Sequence, residues 1–199
     1  MFEMALPVSL KKSVDATKVE YVQLGSSGLR ISVPVFGAMS LGSKEWVPWV
    51  LDEEESLELL KAAFDRGVNT WDTANAYSNG ISEEFLGKAI RKFNIPREKL
   101  VIMTKAYLYV AEEPGIHALM FPEQMSQSKD YVNQGGECNP SQKRPLGPST
   151  KILIDTAGLS RSAIFKAVDA SLARLGTTYI DLFQIHRYDP TTPPEETVS

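Results

Sequence analysis

Strict alternation of apolar, β-type runs with amphipathic helical ones is the feature that most narrows what this chain can fold into. Residues 68–71, 100–104 and 179–185 are short runs rich in β-branched, aliphatic and aromatic side chains. Helical patterns lie between them. Asp52 and Glu55 stand at N-cap and N3 spacing ahead of Leu57, Leu60 and Phe64, and Gly67 supplies the stop. Ser82 opens a second helix with Leu86, Ala89, Ile90 and Phe93 on one face, ending before Pro96. Ser160 opens a third with Ile164, Val168, Leu172 and Leu175 inward, and Gly176 closes it. Strands apolar almost throughout, each linked to the next by a helix, predict a parallel sheet covered by helices. Ahead of this unit, 21–24 and 29–32 flank a Gly/Ser turn and predict a β-hairpin, and 33–37 reads as a further buried strand. The first eighteen residues show no periodicity and are expected to be a loose arm.

Composition removes several function classes. Hydrophobic residues make up 43% and charged residues 23% of 199, the balance of one soluble globular domain. Lys and Arg number 21 against 25 Asp and Glu, with no basic block, which argues against a nucleic-acid binder. Cys138 is the only cysteine, and His117 and His186 are the only histidines, so a disulfide framework, a four-thiolate zinc site and a histidine-rich metal site are not expected. The longest uncharged stretch, 31–43, is interrupted by Pro34, Gly37 and Gly42, so no membrane helix is expected. Glu3 and Pro7 break any secretory-signal pattern, and a cytoplasmic location is the expectation.

Asp72, Lys105 and His186 each stand at the end of a predicted strand, and Tyr77 follows Asp72 by five residues. In a parallel α/β protein the strand C-termini open on one side, where active sites are built. A carboxylate, a phenol, an ammonium and an imidazole thus converge on one mouth with no metal required. A phenol of ordinary pKa, about 10, is a weak acid at neutral pH. An adjacent ammonium favours its anion, and a carboxylate offsets the cost of burying that ammonium. Anchor, acidity tuner and proton donor is therefore an intelligible reading of Asp72, Lys105 and Tyr77, with His186 orienting a carbonyl oxygen. Each residue also has a plain structural reading: a turn cap, a solvated lysine, a rim aromatic, a satisfied core histidine. Four such coincidences on one rim are far less probable together than singly. His117 and Cys138 are read as ordinary structural or surface residues, and Met39 and Trp71 as packing.

The stretch Gly67-Val68-Asn69-Thr70-Trp71-Asp72-Thr73-Ala74-Asn75-Ala76-Tyr77, with Lys105 after 101–104 and His186 after 179–185, resembles the aldo-keto reductases. Segments 24–32, 158–161 and 171–187 match as well, so the likeness covers roughly 21–107 and 157–198 in order. It is closest to the branch holding fungal versiconal-acetate-type reductases and the β subunits of voltage-gated potassium channels. The channel subunits usually carry asparagine where this chain has His186, which favours the enzymes.

The resemblance implies an α/β fold that is the N-terminal half of a (β/α)8 TIM barrel, with about four parallel strands after the hairpin. It implies NADPH as cofactor and a small-molecule aldehyde or ketone as substrate, reduced to an alcohol. Tyr77 would donate the proton, Lys105 and Asp72 would tune it, and His186 would bind and orient the carbonyl. Gly37, Ala38 and Met39, with Asp72, would border the nicotinamide. The reductase-like domain is expected over 19–199, with an irregular insert at about 108–157, of which 135–156 reads as a retained intron or a lineage-specific loop. An open half-barrel leaves strand edges unpaired, so self-association is expected. The alternative reading is a truncated, catalytically inactive remnant or a regulatory binding protein unable to hold the cofactor.

Overall fold

The computed structural model describes residues 8–111, 114–117 and 158–198. Cys138, residues 135–156 and most of the expected insert lie outside the described residues. Residues 8–16, expected within a loose arm, form helix α1 (Val8–Ala16). Its described side chains are exposed, so no buried stripe marks it in the sequence.

The hairpin forms as expected, with β1 (Glu20–Gln23) antiparallel to β2 (Arg30–Val33). Ser32 and Thr70 exchange backbone-to-hydroxyl hydrogen bonds of 2.9 and 3.2 Å and pin the hairpin to the start of the sheet. That sheet runs β3 (Phe36–Gly37), β4 (Thr70–Asp72), β5 (Val101–Ala106) and β6 (Leu182–Ile185), parallel and in chain order. Helices α2 (Glu53–Asp65), α3 (Ile81–Lys92) and α4 (Arg161–Leu175) pack side by side in the same order, and α5 (Pro194–Val198) follows β6. This is a partial (β/α) barrel. Trp71, Ile102, Leu60, Leu86 and Leu175 meet in the core beneath the helices, Trp71 fully buried as packing predicts.

Three local readings change in the fold. Asp52 precedes α2 but makes no side-chain cap; its carboxylate accepts from Lys44 Nζ at 2.7 Å. Ser82 lies inside α3, whose N-cap is Gly80 in the left-handed region. The Ser82 hydroxyl is buried, donates to Ala38 O at 2.8 Å and pairs with the Thr73 hydroxyl at 2.9 Å, so it ties α3 to the ends of β3 and β4. Ser160 does cap α4, accepting from Ala163 N at 3.2 Å. The face α4 buries deepest is Ala163, Ala167, Ser171 and Leu175, while Ile164, Val168 and Leu172 are half-buried. Small side chains win that face because α3 comes very close: a Cβ on Gly87 would stand 2.8 Å from the Leu175 carbonyl carbon.

Glu83 is fully buried and accepts from Arg174 Nε and from the Thr104 hydroxyl, each at 2.6 Å. The pair joins α3, α4 and β5 beneath the strand ends. At the opposite end of the sheet, Asp181 accepts from Arg97 at 2.6 Å and from Ile102 N at 2.8 Å.

Candidate active site

Gly37 and Asp72 are register partners at the ends of β3 and β4, and Lys105 occupies the penultimate position of β5. The parallel register therefore delivers these residues to one mouth, and His186 enters from the end of β6, with its amide donating to Ala106 O at 2.9 Å. The Lys105 ammonium donates to Asp72 Oδ2 at 2.6 Å, to Thr73 O at 2.9 Å and to the Tyr77 hydroxyl oxygen at 3.4 Å. Those are all the donors an ammonium has. Gln184 Nε2 holds the other Asp72 oxygen at 2.9 Å, which leaves the carboxylate little freedom to turn.

Tyr77 sits at the start of a 3₁₀ turn, Tyr77–Gly80, in which Ser78 and Asn79 both adopt left-handed backbone (φ 48° and 51°). Such a bend is uncommon for residues other than glycine and lifts the phenol out of the β4–α3 connection toward the mouth. The Tyr77 and His186 rings meet edge to face, centroids 5.6 Å apart and planes at 88°. Burial, and next the Lys105 and Arg187 charges, hold the His186 imidazole below its ordinary pKa of 6.5, with Asp72 opposing weakly. At neutral pH it is therefore an uncharged ring. Its Nδ1 is buried with no hydrogen-bond partner among the described residues.

A cavity of about 230 Å³ opens onto this group, lined by Met39, Trp46, Ala76, Tyr77, Leu108, His117, His186 and Arg187. Ala38 is buried, its amide donating to Asp72 O at 2.8 Å, and Gly37 faces open space, where a Cβ would meet nothing within 4 Å. A larger hollow of about 520 Å³ lies at the other end of the sheet, between α1, the hairpin and the start of β5. It contains none of the convergent groups, so its size carries no chemical argument.

The four residues expected to act together, Asp72, Tyr77, Lys105 and His186, are thus placed at one mouth, with Gly37, Ala38 and Met39 beside them. His117, read from the sequence as an ordinary structural residue, stacks on Trp46 with centroids 4.4 Å apart and also lines the cavity. Trp46 and Leu108 also had no local signal. Gln184 had one, since it lies two residues before His186 and strand alternation puts both on one face.

Residues 35–199 match the sequence profile of the Aldo/keto reductase family. The chain belongs to this family. An aldo-keto reductase of Fusarium vanettenii is 50% identical over 98% of the chain and 48% of its own length. The versiconal hemiacetal acetate reductase of Aspergillus parasiticus is 46% identical over 89% of the chain and 45% of its own length. An aldo-keto reductase from Bacillus halodurans, solved in its holo form, superposes with a TM-score of 0.59 at 27% identity, over 90% of this chain and 44% of that one. The aldo-keto reductase chain described here thus spans about half the length of the curated relatives it matches. No described helix is long and apolar enough to cross a membrane.

Proposed function

We propose that this aldo-keto reductase chain carries the proton-donating centre of a cytoplasmic NADPH-dependent carbonyl reductase acting on a small aldehyde or ketone. The observation that carries the reading is the Lys105 ammonium, bound at once to Asp72, Thr73 O and Tyr77, where Tyr77 and a neutral His186 imidazole line one cavity.

The residues fit a nicotinamide at the mouth: open space over Gly37, an exposed Met39 next to it, and the orphaned His186 Nδ1 near the reacting end. When bound, the cofactor supplies the hydride that the carbonyl carbon receives. Tyr77 donates its hydroxyl proton to the carbonyl oxygen, and the ammonium 3.4 Å away stabilises the phenolate left behind. Asp72, fixed between Lys105 and Gln184, keeps that ammonium in place. His186, uncharged, presents a ring N–H that binds and orients the carbonyl oxygen without competing for the proton.

Two measurements on the purified chain test this. NADPH fluorescence should change saturably on titration, and NADPH should be oxidised when an aldehyde is added. Tyr77→Phe should cut that oxidation by roughly 10²–10⁴ while leaving cofactor binding unchanged. No saturable NADPH binding would leave the non-catalytic, binding-protein reading in its place.

A further inference from the structure

The mouth carries one charge that no described residue neutralises. Arg187 lines the cavity directly after His186 in the chain, and its exposed guanidinium makes neither a hydrogen bond nor an ion pair among the described residues. The acids of this end of the sheet are committed to other groups. Asp189, two residues on, is buried and accepts from Leu159 N at 2.9 Å, Thr191 N at 2.9 Å, the Thr191 hydroxyl at 2.7 Å and the Thr192 hydroxyl at 2.9 Å. Asp72 is shared between Lys105 and Gln184. Lys105, the other cation here, is the opposite case: it is paired with Asp72, and its remaining donors go to Thr73 O and Tyr77.

The cavity itself holds nothing that would cancel the guanidinium. No carboxylate lines it, and burial keeps the His117 imidazole, like that of His186, below its ordinary pKa and uncharged at neutral pH. After burial and Lys105, Arg187 is the next cause of the His186 shift, so its charge is felt at the ring beside it. Met39, Ala76 and Leu108 supply apolar wall, and walls of low dielectric focus the field of a fixed charge. A guanidinium also offers a planar fork of donors that meets both oxygens of a carboxylate, which an ammonium cannot. One residue of this pair is read as orienting a carbonyl oxygen and the next presents an unsatisfied cation, so a short molecule bearing a carbonyl and a carboxylate can meet both.

We propose that Arg187 is the specificity-determining residue of this site, its guanidinium holding the carboxylate of an oxo acid whose carbonyl lies against Tyr77 and His186. The carbonyl half of that ligand rests on the reductase reading; the anion half rests on Arg187 alone.

Two oxo acids, α-ketobutyrate and levulinate, are compared with the diketones in which an acetyl group replaces the carboxylate, atom for atom. Ligand-observed NMR titrations of the purified chain at low salt should find at least one acid bound roughly tenfold more tightly than its diketone, the scale of one charge-assisted pair. High salt should shrink the preference. Arg187→Met should bring it below about threefold, and Arg187→Lys, which keeps the charge without the fork, should retain part of it. The urea midpoint and NADPH binding of Arg187→Met should match the wild type, since the side chain supports no described contact. The ring-proton resonances of His186 should shift as the preferred acid binds and stay in place at the same concentrations in Arg187→Met, which locates the anion at this mouth. Equal affinities within both pairs, no binding of either acid, a preference surviving Arg187→Met, or unmoved His186 resonances would each overturn the proposal. So would loss of NADPH binding in Arg187→Met, which would give the guanidinium to a cofactor phosphate. Preferred acid binding without any NADPH oxidation would sink the reductase reading and leave the anion site standing. Oxidation of NADPH by acids and diketones at equal KM would do the reverse.

Discussion

Lys105 stands close enough to His186 for its charge to bear on the imidazole, and the sign of that effect can be measured. The imidazole is held below 6.5 first by burial, then by Lys105 and Arg187. Its NMR titration should therefore give a midpoint below 6.5. Lys105→Met should raise that midpoint without bringing it past 6.5, because burial, the larger cause, remains. The consequence for stability follows by linkage. The unfolded chain takes up the proton first, near pH 6.5, so His186 favours folding above that value. That contribution shrinks as pH falls toward the lowered folded-state pKa. Acid unfolding of His186→Gln should show a shallower pH slope below 6.5 than the wild type.

The helices reach the site through contacts that only particular residues permit. Gly87 lets α3 lie against the end of α4, and a Cβ there would crowd the Leu175 carbonyl, a rigid backbone group. Gly87→Ala should thus destabilise the fold by about 1–3 kcal/mol, although alanine is the better helix former. A fall in the urea midpoint measures it, and an unchanged midpoint would show that α4 can shift at no cost. The Glu83–Arg174 pair makes the complementary point. Glu83 is fully buried and its partner half-buried, which means that removing the guanidinium strands a carboxylate. Arg174→Met should cost about 3–5 kcal/mol in chemical denaturation. Because Arg174 also packs over Gly80 at the end of the Tyr77 turn, the loss should sharpen with any change that loosens that turn.

At the scale of the whole molecule, the described sheet has two edges, β3 and β6, and Ile185 on β6 is 52% exposed. Unpaired parallel edges with apolar neighbours favour association. Sedimentation velocity should show a weight-average coefficient that rises with concentration; a constant monomer value would contradict it. The order of strands and helices, the hairpin, and the arrival of Asp72, Lys105 and His186 at one mouth were legible in the sequence. They follow from local periodicity and from the single direction that parallel strands impose on their C-termini. Helix α1 was not, because an exposed helix has no apolar stripe to announce it. The capping roles given to Asp52 and Ser82 failed for a related reason: Lys44 captured one carboxylate and the β3–β4 mouth captured the other hydroxyl, and both partners are set by tertiary contacts. Chain order and hydropathy determined which residues reach the mouth. Close packing alone decided which small residues α4 buries and that Trp46 meets His117, since such contacts join positions whose separation along the chain carries no periodic trace.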